Sequence, residues 1–170
     1  MQHPLHRFKF CPVCGSDRFW ENNFKSKKCG DCQFTYYFNP AAAVVAVIEN
    51  QKGEILVARR AKDPAKGTLD LPGGFADLNE TIENALRREI LEETNLTIES
   101  FEFLFSIPNT YLYSNLEIFT ADMFFKSVVT NLEPMKAQDD VADLFFISKK
   151  ELNPDDFGMA SVRQAIKKML

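Results

Sequence analysis

The 170-residue sequence predicts a mixed-sheet α/β or α+β domain behind a small cysteine-bearing unit. Three observations lead there. Several short runs of β-branched and aromatic residues read as strands, only two segments carry apolar residues at helical spacing, and the helices flank the more numerous strands. A hydrophobic share of 45% with 26% charged residues is enough to bury one sizeable core.

In chain order, residues 1–10 are expected to form a polar tail and Cys11 to Cys32 a compact unit rich in Lys, Asn, Gly and Ser. We place a first unit at 1–38 and the main domain at 39–170, next to Pro40. Ala41 to Glu49 is small and β-branched, as a buried strand is, and Asn50-Gln51-Lys52-Gly53 is a turn signal that makes Glu54 to Arg60 its hairpin partner. A polar loop, Lys62 to Gly67, precedes a short strand at Thr68 to Leu71, and Pro72-Gly73-Gly74 breaks regular structure. A helix is expected over 81–94, strands over 97–106, 116–127 and 144–147, and a closing amphipathic helix over 159–170. The sixteen Phe occur mainly at alternating positions such as Phe101, Phe103 and Phe105, which assigns them to strand core.

A net charge of −4 argues against a general polyanion binder, because nonspecific nucleic-acid affinity comes from Lys and Arg neutralising phosphates. The charge is uneven: residues 1–32 carry +3 and the remainder −7, so cations are expected to bind the acidic part. The sequence opens without signal-peptide character, and its longest apolar run, Ala41 to Ile48, is too short to cross a bilayer, so a cytoplasmic location is expected. There the four cysteines would be reduced, and metal binding is their natural use.

On the 81–94 helix, Ile82, Ala85, Leu86 and Ile90 make one apolar stripe at 100° steps. Glu89 and Glu93 fall inside that stripe and Glu92 at its edge, while Asn84, Arg87 and Arg88 mark the opposite face. A solvated helix face therefore explains these acids poorly. Three carboxylates within one turn repel one another by a few tenths of a kcal/mol per like pair, roughly, and by more when partly buried. Arg88 at i−4 can neutralise Glu92, leaving Glu89 and Glu93 for a hard divalent cation, since Mg²⁺ prefers oxygen ligands and is commonly shared with substrate phosphates. Gly73 and Gly74 allow backbone to approach a ligand closely.

Gly74, Glu80, Arg88-Glu89-Ile90, Glu92-Glu93 and Leu96 resemble the Nudix box, with five residues between Gly74 and Glu80 and seven between Glu80 and Arg88. Asn95 departs from the glycine of that pattern, but Asn is the next-best residue for a left-handed helix end. The resemblance implies an α/β/α sandwich that hydrolyses a nucleoside diphosphate linked to another group. It further implies that Glu89, Glu92 and Glu93, with a carbonyl of Gly73 or Gly74, hold catalytic Mg²⁺ or Mn²⁺. Glu80 and Arg88 then brace loop against helix, and Asp139 or Asp140 is the candidate base from a separate loop.

Cys11-x2-Cys14 and Cys29-x2-Cys32, fourteen residues apart, have the spacing of a four-thiolate structural Zn²⁺ site; disulfides or free buried thiols are the alternatives. A full cysteine set leaves His3 and His6, in the tail, no necessary role. A zinc ribbon before a Nudix domain is similar to the NADH pyrophosphatase branch. That resemblance assigns Tyr37, five residues past Cys32, to substrate and implies a homodimer; Tyr36 is assigned to packing. The branch's motif Ser-Gln-Pro-Trp-Pro-Phe-Pro-x-Ser corresponds to the loop from Ser106 to Ser114, where only Ser106, Pro108 and Ser114 match, leaving Tyr111 and Tyr113 as ring-stacking candidates. Arg60, with Arg59 and Lys66 nearby, is a candidate diphosphate grip, and ordinary surface charge is the competing explanation.

Two other functions compete with a hydrolase of NADH, NAD, ADP-ribose or a nucleotide sugar. One is a nucleoside triphosphate pyrophosphohydrolase. The other is a nucleotide-sensing or RNA-binding module that uses the basic ribbon and Trp20. The complete set of Glu89, Glu92 and Glu93 favours the enzyme, with a small-molecule nucleotide substrate and neither membrane nor nucleic acid as partner.

Overall fold

Three short antiparallel strands form the first unit of the computed structural model, which describes residues 3–170: β1 (Phe19–Asn23), β2 (Ser26–Cys29) and β3 (Thr35–Tyr37). This unit runs to Pro40. Its interior is small, with Cys11, Phe19 and Cys29 buried and Phe34 packed against them. The expected polar tail is folded instead. Leu5 is fully buried, His3 Nε2 lies 2.8 Å from the Asn23 carbonyl, and Lys27 Nζ donates to the Phe8 carbonyl at 2.8 Å. Of Leu5, Phe8 and Phe10 only Leu5 is buried, which the composition of 1–10 does not foretell.

The second unit, Ala41–Leu170, holds the other elements. They are β4 (Ala41–Ile48), β5 (Glu54–Arg60), β6 (Leu69–Asp70), β7 (Gly73–Phe75), α1 (Ile82–Thr94), β8 (Ser100–Tyr113), β9 (Leu116–Val128), β10 (Val141–Ser148) and α2 (Ala160–Met169). One sheet has the order β7-β4-β9-β8, with β4 and β9 parallel and the other pairs antiparallel; a second has the order β10-β5-β6. The sheet is mixed, as expected. Val44, Ala46 and Ile48 of β4 pack in one core with Ala85, Leu86 and Ile90 of α1. Val45 and Val47 pack in the other with Val162, Ala165 and Ile166 of α2. A strand covered on both faces by helices needs apolar side chains at every position, which explains the unbroken run from Ala41 to Ile48.

Three expectations are corrected. The chain does turn at Asn50–Gly53, but β4 and β5 are joined only by an isolated Glu49–Ile55 bridge among the described residues. Both edges of β4 are already occupied by β7 and β9, so β5 pairs with β10 and β6 instead. The stretch from Ser106 to Ser114 is no loop: it continues β8 to Tyr113, paired with β9 throughout. Pro108 lacks an amide hydrogen, which a sheet's edge strand tolerates, and β8 is an edge strand. Finally, Gly73 and Gly74 form part of β7, against Val45 and Val44. No helix among the described residues is long and apolar enough to cross a membrane.

Candidate functional site

The carboxylates are positioned by a well-capped helix. The Thr81 hydroxyl accepts the Asn84 amide, and Asn95 closes α1 in the left-handed conformation (φ 58°), its amide donating to Leu91, so the departure from glycine is accommodated. Ile90 and Leu86 enter the core, and the same face carries Glu89 and Glu93 to partial burial against β7. Glu93 Oε2 accepts the Gly73 amide at 2.9 Å. Glu89 lies on Gly74 so closely that a Cβ there would sit 2.4 Å from Oε2.

Arg88 does more than the predicted pairing with Glu92. Its Nη1 donates to Glu92 at 3.0 Å and to Glu89 at 2.8 Å, and Nε and Nη2 grip Glu80 bidentately at 2.9 and 2.8 Å. Nη2 also reaches the Phe75 carbonyl at 2.9 Å, tying helix to glycine strand. Glu89 thus already has a cationic partner, whereas Glu93, the other acid of the apolar stripe, forms no ion pair among the described residues.

The protonation states follow this division. Arg88, then the Asp77 amide, holds the Glu80 carboxyl down at about 2. Burial pushes Glu89 up against the opposing pull of Arg88. Burial pushes Glu93 furthest, to about 8, opposed by the Gly73 amide and reinforced by Asp70, Glu89 and Asp140. A carboxyl so crowded calls for positive charge.

Glu89 and Glu93 face a cleft of about 310 Å³ that Gly73, Gly74, Arg60, Tyr111, Asp139 and Asp140 also line. Asp140 pairs with Lys62, which also reaches Asp139 at 3.7 Å; the hydrogen bond to Asp140, then its charge, raises the Lys62 pKa. Arg60 is engaged within the protein: Nη1 meets Asp70 at 2.7 Å and Nε the Pro64 carbonyl at 2.8 Å. Burial works against its charge, but Asp70 outweighs burial and leaves the guanidinium above its usual pKa. Tyr111 packs edge-on to Phe75 with ring centres 5.7 Å apart.

Tyr113, further along β8, is exposed and outside the cleft lining. Arg59 is likewise outside it, with Nη1 on the Gly67 carbonyl and its guanidinium over Phe145; Lys66 is exposed. Tyr37 and Tyr36 lie on β3 of the first unit, Tyr37 exposed and Tyr36 6.4 Å from the Phe8 ring. Asp70 and Asp122 also line the cleft and were not anticipated. Asp122 lies between apolar stretches of β9 and Asp70 ends the two-residue β6, so neither carries a local sequence signal.

In the first unit the four cysteine sulfurs lie within 4.8 Å of one another and none is in a disulfide. Cys11 Sγ to Cys32 Sγ is 3.7 Å and Cys14 Sγ to Cys29 Sγ 3.6 Å. Four thiolates at about 2.3 Å around a tetrahedral Zn²⁺ stand roughly 3.8 Å apart, so the residues fit that ion. The two knuckles repeat one geometry: the Cys11 and Cys29 amides donate to Ser16 and Phe34, five residues on, and Gly15 and Gln33 each follow the second cysteine at positive φ. No other group of three or more His, Cys, Asp or Glu among the described residues is so tightly gathered. The glutamates of α1 offer hard oxygen donors around a glycine cradle and so fit Mg²⁺ or Mn²⁺ by chemistry, although Arg88 draws Glu89 and Glu92 toward itself.

Residues 39–167 match the NUDIX domain. The chain belongs to the Nudix family. Similar proteins include the NAD-capped RNA hydrolase NudC of Vibrio parahaemolyticus serotype O3:K6, 28% identical over 120 residues, 71% of this chain and 45% of that protein. NudC of Yersinia pestis strain Pestoides F is 31% identical over 114 residues, 67% of this chain and 43% of that protein. The matched part therefore spans less than half of either relative's length. A solved Nudix hydrolase from Nitrosomonas europaea has the same fold, with a TM-score of 0.70 at 24% identity over 94% of this chain and 88% of that one.

Proposed function

We propose that this Nudix chain is a divalent-metal-dependent pyrophosphohydrolase that splits the diphosphate linkage of a nucleoside diphosphate derivative into two monophosphates. The observation that carries the reading is the convergence of Glu89 and Glu93 on the Gly73–Gly74 backbone at the wall of an open cleft. In this reading Glu89, Glu92 and Glu93, with a carbonyl of Gly73 or Gly74, hold Mg²⁺ or Mn²⁺. Such an ion, when bound, lowers the pKa of water and neutralises charge developing on phosphate.

The chain's own groups do the rest. The Gly73 amide orients Glu93, and Arg88 locks the rotamers of Glu89, Glu92 and Glu80 into one unit. Asp140, held by Lys62 at the cleft, is the proton acceptor, with Asp139 beside it. Arg60, aligned by Asp70, receives the diphosphate, and Tyr111 against Phe75 offers a ring surface. Tyr37 contacts substrate by resemblance to the zinc-ribbon branch, whose members also support a homodimer, a structural Zn²⁺ in the ribbon and a cytoplasmic site of action.

The names of the NudC relatives favour NAD-type dinucleotides, free or at an RNA end, over triphosphates. A panel of NADH, NAD, ADP-ribose, NAD-capped RNA, diadenosine polyphosphates and triphosphates with Mg²⁺ or Mn²⁺ tests this. Two monophosphates from a dinucleotide are expected; inorganic pyrophosphate from triphosphates alone would establish the pool-cleaning alternative.

A further inference from the structure

Asp122 is 6% exposed yet lines the cleft. Its Oδ2 accepts the Asn109 amide at 3.1 Å and the Ser161 hydroxyl at 2.5 Å, while Oδ1 accepts the Thr120 hydroxyl at 2.5 Å. All three donors are neutral, and Asp122 forms no ion pair with a Lys or Arg among the described residues; the charged group it does interact with, Asp70, is another acid. An ionised carboxylate accepts about four hydrogen bonds, so Oδ1 retains acceptor capacity. Both oxygens accept, which Asn, with one carbonyl oxygen and a donating NH2, could not reproduce; the carboxylate satisfies all three donors and keeps one acceptor site over.

The surroundings specify what the missing donor belongs to. In register across the sheet, Ala43 lies between Phe75 of β7 and Asp122 of β9. The methyl of Ala43 leaves room between Phe75 and the carboxylate, two strand spacings or about 9.6 Å apart, and Tyr111, from β8 beyond β9, reaches back to the Phe75 ring. Met159 and Val162 add an apolar side. A flat heterocycle with a polar edge fits this shape. A carboxylate aimed at the 6-position of a purine accepts from an exocyclic amino group there and repels a carbonyl oxygen, whereas one aimed at N1 would favour the N1–H of a 6-oxopurine.

We infer that Asp122, supported by Asn109, Thr120 and Ser161, is the base-selecting residue of the cleft and takes a nucleobase through its exocyclic amino group, a 6-aminopurine in preference to a 6-oxopurine. This deepens the pyrophosphohydrolase reading and rests on it only for the identity of the cleft's ligand. Ser161 belongs to the first turn of α2, so the competing role of Asp122 is to hold that helix.

Calorimetric binding of AMP and of inosine 5′-monophosphate in the presence of Mg²⁺ separates the two, since these ligands differ only on the edge in question: amino group and acceptor N1 in AMP, oxo group and N1–H donor in inosine 5′-monophosphate. The full chain is expected to bind AMP about ten- to a hundredfold more tightly, the cost of setting a carbonyl against a buried acceptor. Asp122→Asn, whose amide can donate, should abolish or invert that ratio. Equal affinities or tighter binding of inosine 5′-monophosphate in the unaltered chain, no binding of either ligand, or an Asp122→Asn change that weakens both alike would overturn the assignment. Retained discrimination in a chain that hydrolyses nothing would support it while refuting the proposed activity.

Discussion

The carboxylate of Glu89 occupies the space in which a side chain on Gly74 would begin: a Cβ there would lie 2.4 Å from Oε2 and 2.5 Å from Cδ. The obstruction is the end of a flexible side chain, so the fold can yield by moving Glu89. Gly74→Ala should therefore leave thermal stability nearly unchanged and displace the acid. Displacement of about 1 Å in a catalytic array costs on the order of a hundredfold, which is the expected fall in kcat. Undiminished kcat in a folded Gly74→Ala protein would remove Glu89 from the site.

Gly73 makes the opposite prediction. Its φ is +151°, and a Cβ would meet the Val44 carbonyl oxygen at 2.0 Å and the Val45 Cα at 2.9 Å. These are backbone atoms of a strand buried on both faces, and they cannot swing aside. Gly73→Ala should lose about 3 kcal/mol or more in chemical denaturation, from backbone strain together with the clash. A loss below 1 kcal/mol, roughly the penalty of an ordinary strand substitution, would mean that β7 separates easily from β4.

These neighbouring glycines show what was readable from sequence. The spacing of Ile82, Leu86 and Ile90 exposed the odd placement of Glu89 and Glu93, because helix periodicity is a local property. The cysteine spacing was equally local. Strand pairing is not: β5 reads as a hairpin partner of β4 until β7 and β9, distant in sequence, take both its edges. Pro108 reads as a loop residue until β8 is known to lie at a sheet edge. Asp70 and Asp122 escaped because only tertiary packing brings two strand-borne acids to the helix acids' cleft.

Glu93 links protonation to stability in chelator-treated protein. Its carboxyl titrates near 8 in the fold against an ordinary glutamate value of 4.5. The folded chain therefore binds the proton more tightly than the unfolded chain. That contribution is complete below about pH 4.5 and disappears as pH rises through 8. Over this window the Tm of metal-free protein should fall faster with pH than that of Glu93→Gln, which has no proton to lose. Parallel Tm profiles for the two proteins, measured by circular dichroism in the same chelator buffer, would show that Glu93 is not the buried acid.

The ribbon is the other place where metal and folding should be inseparable. Its apolar interior of Leu5, Cys11, Phe19, Cys29 and the adjacent Phe34 is small for three strands, so its folding is expected to draw on thiolate ligation. Trp20 is the chain's single tryptophan and a built-in reporter: it packs so tightly on Gly30 that a Cβ there would lie 2.8 Å from its ring, and the Arg18 guanidinium sits 5.3 Å from its ring centre. One zinc per chain is expected by elemental analysis, and Cys29→Ser or a strong chelator should change the emission of Trp20, which is half exposed, by removing its contacts with Gly30 and Arg18. The far-ultraviolet signal of the second unit should persist, because its two cores contain no cysteine. Protein purified without chelator that lacks zinc, yet keeps unchanged Trp20 emission, would show that the ribbon folds on hydrogen bonds and packing alone.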